Sequence, residues 1–152
     1  KDVQKESFRK QVRLAQELDL PCIVHSRDAA EDTLALLLEE GAKKVVFHCF
    51  SYDYEFAKKA WEQGFYTSFS GVVTYPQAQN IQEAAAKGPL ELFLIETDCP
   101  YLAPQSIRGR RNEMAAVVEV GEKIAELRGV SPELLSDQLS ENTHKCFGIK
   151  QP

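Results

Sequence analysis

No stretch of the 152-residue chain approaches the roughly 18 consecutive apolar side chains that a membrane-spanning helix needs, and the N-terminus lacks the charged-then-apolar profile of a signal peptide. These absences argue against a membrane partner and make a cytoplasmic setting the expectation. The four cysteines, Cys22, Cys49, Cys99 and Cys146, include no C-x-x-C pair. They read as reduced, mostly buried thiols, and neither a disulfide scaffold nor a zinc framework is expected. Positive charge is in deficit as well: 18 Lys and Arg against 23 Asp and Glu give a formal net charge of −5. Such a molecule repels nucleic acid as a whole, so a phosphate-bearing partner has to be met by a local basic patch or a metal ion. Low-complexity tracts and close repeats are missing too, and the apolar fraction of 43% suits one globular domain with a real core, spanning 1–152. The chain opens at Lys1 directly on a helical pattern, which leaves open that it is a segment of a longer protein.

What is present is alternation. Phe8, Val12, Ala15 and Leu18 recur at helical spacing between Lys5 and Leu18, and Pro21 ends the pattern. "CIVHS", Cys22 to Ser26, reads as a buried strand. A helix follows from Ala29 to about Glu40, with Leu34, Leu37 and Leu38 inward and Gly41 at its C-terminal end. Next come a strand in Lys43 to Phe50, a helix from Tyr54 to Gln63, a strand in Phe65 to Ser70 and a helix from Gln77 to Lys87. A fourth strand covers Leu92 to Ile95, a loop without periodicity runs from Thr97 to Asn112, and helices are predicted over Glu113 to Arg128 and Pro132 to Lys145. Strands apolar on both faces alternating with helices are the pattern of a parallel α/β sheet. A complete (β/α)₈ TIM barrel needs about 250 residues and eight strands, and four are counted. The fold is therefore either a small open sheet or the second half of a barrel.

His25 and His48 stand near the ends of the first two strands and Asp98 just past the fourth. In parallel α/β folds these C-terminal ends line one face, where sites are built. Imidazole and carboxylate are the donors of hydrolytic divalent-metal sites. Each residue alone has a plainer reading, His25 and His48 as hydrogen-bonded core residues and Asp98 as the brace of the turn before Pro100; their convergence on one rim favours chemistry. His144, in the polar part of the last helix, reads as surface. Arg27 beside His25 is placed to meet an anion or to pair with Asp28. "RGRRN", Arg108 to Asn112, precedes a predicted helix start and offers either a phosphate cradle or a solvated basic loop. "SFSG", Ser68 to Gly71, gives the third strand a hydroxyl-lined end.

"PCIVHSRDA", "VVFHCFS", "GFYTSFSGVVTY" and "LIETDCPYLAP", followed by "RGRRN" and "ENTHKCFGI", resemble in order and spacing the second half of the TatD family. These are metal-dependent hydrolases and deoxyribonucleases of the amidohydrolase type, built on a (β/α)₈ barrel. The resemblance covers about Lys5 to Ile149 and implies the C-terminal half of such a barrel, four parallel strands with covering helices. It implies that His25 and His48 ligate one divalent ion, and that Asp98 binds the other and handles the proton of the attacking water. Glu96 matches the Glu of the family's E-T-D segment, a supporting carboxylate rather than a ligand. Arg27, Arg108, Arg111 and Asn112 are carried as substrate-binding candidates. Tyr52 departs from the Gly that many members have there, and "RRNEM" lacks a Pro often found near that Asn.

The expected parent activity is divalent-metal-dependent phosphodiester hydrolysis with DNA as substrate and two ions, Mg, Mn or Zn, as cofactors. The family's His-x-His pair and bridging Glu are not among these residues, since the histidines are His25, His48 and His144, so weak or no turnover is expected of this chain by itself. Two other readings compete: a non-catalytic half-barrel that self-associates or binds a ligand, and a metallohydrolase acting on an amide or ester.

Overall fold

A computed structural model describes residues 2–150. At its centre is a four-stranded parallel sheet with the strands side by side in chain order: β1 (Cys22–His25), β2 (Val45–His48), β3 (Tyr66–Phe69) and β4 (Phe93–Ile95). Around it run α1 (Asp2–Glu17), α2 (Ala30–Glu39), α3 (Tyr54–Trp61), α4 (Gln79–Lys87), α5 (Val117–Arg128) and α6 (Pro132–Phe147). Val24, Phe47, Phe69 and Phe93 from the strands share one core with Val12, Leu37, Ala57, Ala84, Ile124 and Leu135, so every helix sends a residue to the same side of the sheet. A doubly wound sheet puts helices on both faces. Sequential strand order with one helical layer is instead the wall of a barrel, which decides between the two architectures the pattern allows.

Side chains alternate across a strand, and the opposite face of the sheet changes character along its length. Val46, Tyr66 and Leu94 form a small second cluster there, closed by Cys146 from the last turn of α6. One step further along the same parity stand His25, His48, Ser68 and Glu96, so an apolar layer supports a polar one at the C-terminal ends of the strands. The register puts His25 directly opposite His48.

The motif "ENTHKCFGI" does its work in this packing. Asn142 is buried, and its amide donates to the carbonyls of Leu90 at 2.7 Å and Phe93 at 2.9 Å, tying α6 to the entrance of β4. Ser131 caps α6, accepting from the Leu134 N–H at 3.2 Å, and Gly148 ends it in the left-handed region at φ 64°.

Three expectations shift. Leu18 falls outside α1 and is 57% exposed, because the helix stops at Glu17 and the chain turns through Asp19 at φ 54°. In α2 the buried face carries Thr33, Leu34, Leu36 and Leu37, while Leu38 points outward. Helical steps of 100° put positions 33, 36 and 37 on one stripe and 38 beyond it. Finally, the segment after Asn112 enters α5 through a 3-10 turn at Met114–Ala116, so Arg108 to Asn112 do not lie on the N-terminus of that helix. No helix among the described residues is long and apolar enough to cross a membrane.

Candidate metal centre

His48 ends β2 and its ring is gripped at both nitrogens. Nδ1 lies 2.6 Å from Glu96 Oε1, and Nε2 lies 3.2 Å from Asp98 Oδ1. Glu96 leaves the end of β4 with its own N–H bonded to the Phe69 carbonyl at 2.9 Å. Its Oε1 also accepts from the Cys49 N–H at 2.9 Å, and Oε2 accepts from the Ser68 hydroxyl at 2.6 Å. Both oxygens are thus engaged by β2 and β3. Burial pushes the Glu96 carboxyl above its usual range, against the Ser68 hydroxyl, the His48 ring and the Cys49 N–H, which favour the anion.

Asp98 is fixed by the loop that follows it. Its carbonyl accepts from the Tyr101 N–H at 2.7 Å across a cis Cys99–Pro100 bond. The far side of the loop is held by Asn112, which is buried. Its amide donates to the Tyr101 carbonyl at 2.7 Å, its oxygen accepts from the Glu113 N–H at 2.9 Å, and its own N–H reaches the Pro100 carbonyl at 3.0 Å. Asn112, expected among the substrate-binding residues, is turned inward and spends its polar atoms on the backbone. The loop is also locked against the residues after β3. Tyr75 donates to the Ala103 carbonyl at 2.8 Å, and a Cβ on Gly71 would meet the Leu102 carbonyl oxygen at 2.3 Å.

The donor set fits a divalent ion on the Nε2 side of His48. With Nδ1–H donating to Glu96, a neutral ring turns the Nε2 lone pair toward the Asp98 carboxylate, a pair of acceptors that a cation would bridge, whereas a ring protonated at both nitrogens would donate to Asp98 instead. Their 3.2 Å separation matches the spacing of about 3.0–3.4 Å that follows for two ligands on one ion with bonds of about 2.1 Å. His48, Glu96 and Asp98 all bring ligand atoms within 4.8 Å of one another.

The other sequence candidates are less gathered. His25 is exposed, its ring centroid 5.9 Å from that of His48, and it lies outside that group. Arg27 is 83% exposed and reaches Asp28 only at 3.9 Å. Arg108 stacks on the Tyr75 ring at 4.2 Å, while Arg111 borders an open cleft with Cys99 and Pro100. His144 keeps to its own helix, Nδ1 lying 2.7 Å from the Ser140 carbonyl. Cys49 is pushed up to about 12 by burial and shares a hydrogen bond with Ser70 at 3.1 Å, so it is a packed thiol and no nucleophile. Sequence reasoning reads Ser68 only as part of a polar wall. The parity shared by His48, Ser68 and Glu96 is the signal that puts them on one face.

The family model described as TatD-related DNase matches residues 1–148. The chain is 44% identical over 151 residues to the uncharacterized metal-dependent hydrolase YabD of Bacillus subtilis, covering 98% of this chain and 59% of that protein. It is 45% identical over 148 residues to the uncharacterized metal-dependent hydrolase YcfH of Escherichia coli K12, covering 96% and 56%. Its fold superposes on the crystal structure of YjjV, a TatD homologue from Escherichia coli K12, with a TM-score of 0.86 and 28% identity over 91% of this chain and 54% of that one. The chain therefore spans a little over half the length of the relatives it matches.

Proposed function

We propose a function from one premise: the chain belongs to the TatD-related DNase family. The reading is a divalent-metal-dependent hydrolase acting on phosphodiesters, with DNA as the substrate class the family's description suggests. The observation that supports it most is His48 held between two carboxylates, Glu96 at one nitrogen and Asp98 at the other.

In this reading His48 Nε2 and Asp98 hold the ion, with His25 beside them. Glu96 accepts a hydrogen bond from the Nδ1–H of His48, which selects the tautomer with a free Nε2 and raises its basicity. A bound divalent ion supplies Lewis acidity toward the phosphoryl oxygen and the attacking water. Asp98 takes the proton of that water as general base. Arg27, Arg108 and Arg111 offer guanidinium groups to phosphate oxygens from the exposed loops. Among the described residues His48, Glu96 and Asp98 form the one group that could hold an ion, and with Glu96 engaged at Nδ1 both this ion and the second ion of the family reading draw on further donors.

The test is a titration of the chain with Mn²⁺ and Zn²⁺, paired with a panel of oligodeoxynucleotide, ester and amide substrates. Stoichiometric binding lost in His48→Ala, with slow cleavage of the oligodeoxynucleotide alone and none in Asp98→Asn, is the expected result. Cleavage confined to esters or amides moves the reading to acyl chemistry. Absence of binding in the parent chain turns it to a non-catalytic module.

A further inference from the structure

We infer that Tyr52 is a positioning residue for this site, its hydroxyl tying the exit of β1 to the exit of β2 and so setting His25 against His48. The inference rests on the metal-binding reading above. The ladder between the two strands ends at the His25–His48 pair, so what holds His25 beyond that point must come from the loop after it. That loop is poorly fixed by its own residues. Asp28 sits at φ 53°, and Ala29 at the N-cap of α2 has no side chain to cap with.

Tyr52 supplies the missing partner from the neighbouring loop. Its hydroxyl lies 2.7 Å from Ser26 Oγ and accepts from the Ala29 N–H at 3.4 Å, and Ser26 Oγ continues to Thr33 Oγ1 at 3.0 Å. One donor order satisfies all three hydroxyls: Tyr52 to Ser26, Ser26 to Thr33, with Tyr52 accepting from the backbone. Ser26 is buried and is the first residue past His25. The ring that carries the hydroxyl is itself held, edge-on to Phe56 at 4.8 Å and to Phe50 at 6.0 Å. It is therefore a stiff arm from the β2 exit whose only polar atom grips the β1 exit.

Tyr52→Phe removes the hydroxyl and keeps the ring packing, and Ser26→Ala cuts the same link from the other end. In the metal-free protein, ¹⁵N–¹H imidazole spectra should show the His25 ring shifted in both variants and His144 unmoved. Mn²⁺ and Zn²⁺ titrations should show affinity lowered by about tenfold, the low end of what losing a partner behind a ligand costs. The double variant should be no weaker than either single one. An unshifted His25 overturns the inference even if the variants melt at lower temperature, since that is packing alone. A shifted His25 with unchanged affinity in a parent that binds metal overturns it as well. If the parent binds no metal, the metal reading fails by itself, and the His25 spectra still decide the tie: shifted upholds it, unshifted overturns it.

Discussion

His25 and His48 end adjacent strands at the same register position, yet they live in different surroundings. His48 is 26% exposed and has a carboxylate at each ring nitrogen. His25 is exposed, and among the described residues its ring meets only that of His48. The difference follows from place in the sheet. β2 is flanked on the far side by β3 and then β4, which deliver Ser68 and Glu96 through a chain of hydrogen bonds. Among the described residues β1 pairs with β2 alone, and the support seen beyond His25 comes from the loops, Tyr52 above all.

The sharpest way to break that comparison is to remove each histidine in turn. His48→Ala should lower Mn²⁺ or Zn²⁺ affinity by more than about 100-fold, beyond the range for losing a supporting partner, and His25→Ala by less than that, though by no less than the roughly tenfold of Tyr52→Phe. Equal losses in calorimetric titration would erase the distinction.

Glu96→Gln tests the support behind the stronger histidine. It should cost about 10–100-fold in divalent affinity, because the amide holds Nδ1 less strongly and lowers the basicity of Nε2. The same variant carries a pH signature. Burial raises the Glu96 carboxyl above 4.5, so the stability it contributes is present below that value and is lost as pH rises through the elevated one. Urea midpoints of the metal-free proteins from pH 4 to 7 should move in favour of Glu96→Gln as pH increases. A gap that stays constant would mean that burial does not govern this carboxyl.

Gly71→Ala acts on Asp98 from a distance. The new Cβ would press on the Leu102 carbonyl oxygen at 2.3 Å and the Pro104 nitrogen at 3.0 Å. The expected loss is about 1–3 kcal/mol of stability, with the loop displacement reaching the carboxylate. Chemical denaturation reads the first, and amide shifts of Asp98 to Tyr101 read the second. The smallest effect compares the residues that follow His48 and Asp98. Cys99 is exposed and Cys49 is pushed up to about 12, so iodoacetamide at pH 8 should label Cys99 well before Cys49 by mass spectrometry.

Much of this was legible in the chain. β-branched runs between helical stripes mark four strands, and the rim residues His25, His48 and Asp98 stand at their ends. The alternation Val46/His48, Tyr66/Ser68 and Leu94/Glu96 even carries the change from apolar to polar along one face. Long-range partners are another matter. The Ser68–Glu96 bond spans 28 positions and the Cys49–Glu96 bond spans 47, separations at which no local pattern specifies contact. Asn112 shows the same limit, since an Asn beside arginines reads as a polar loop residue until the chain folds back and hands it the carbonyl of Tyr101.

By itself the sequence determined the alternation of elements, the chemistry available at the strand ends and, through its ordered motifs, the TatD family. Periodicity and residue type are local properties, and local rules read them. Only the tertiary structure decided that every helix among the described residues sends a side chain to one shared core on the sheet, that Glu96 orients His48 while Asp98 meets its other nitrogen, and that Tyr52 braces the loop after His25. Those outcomes depend on strand order and register, which bring together side chains that the chain keeps far apart.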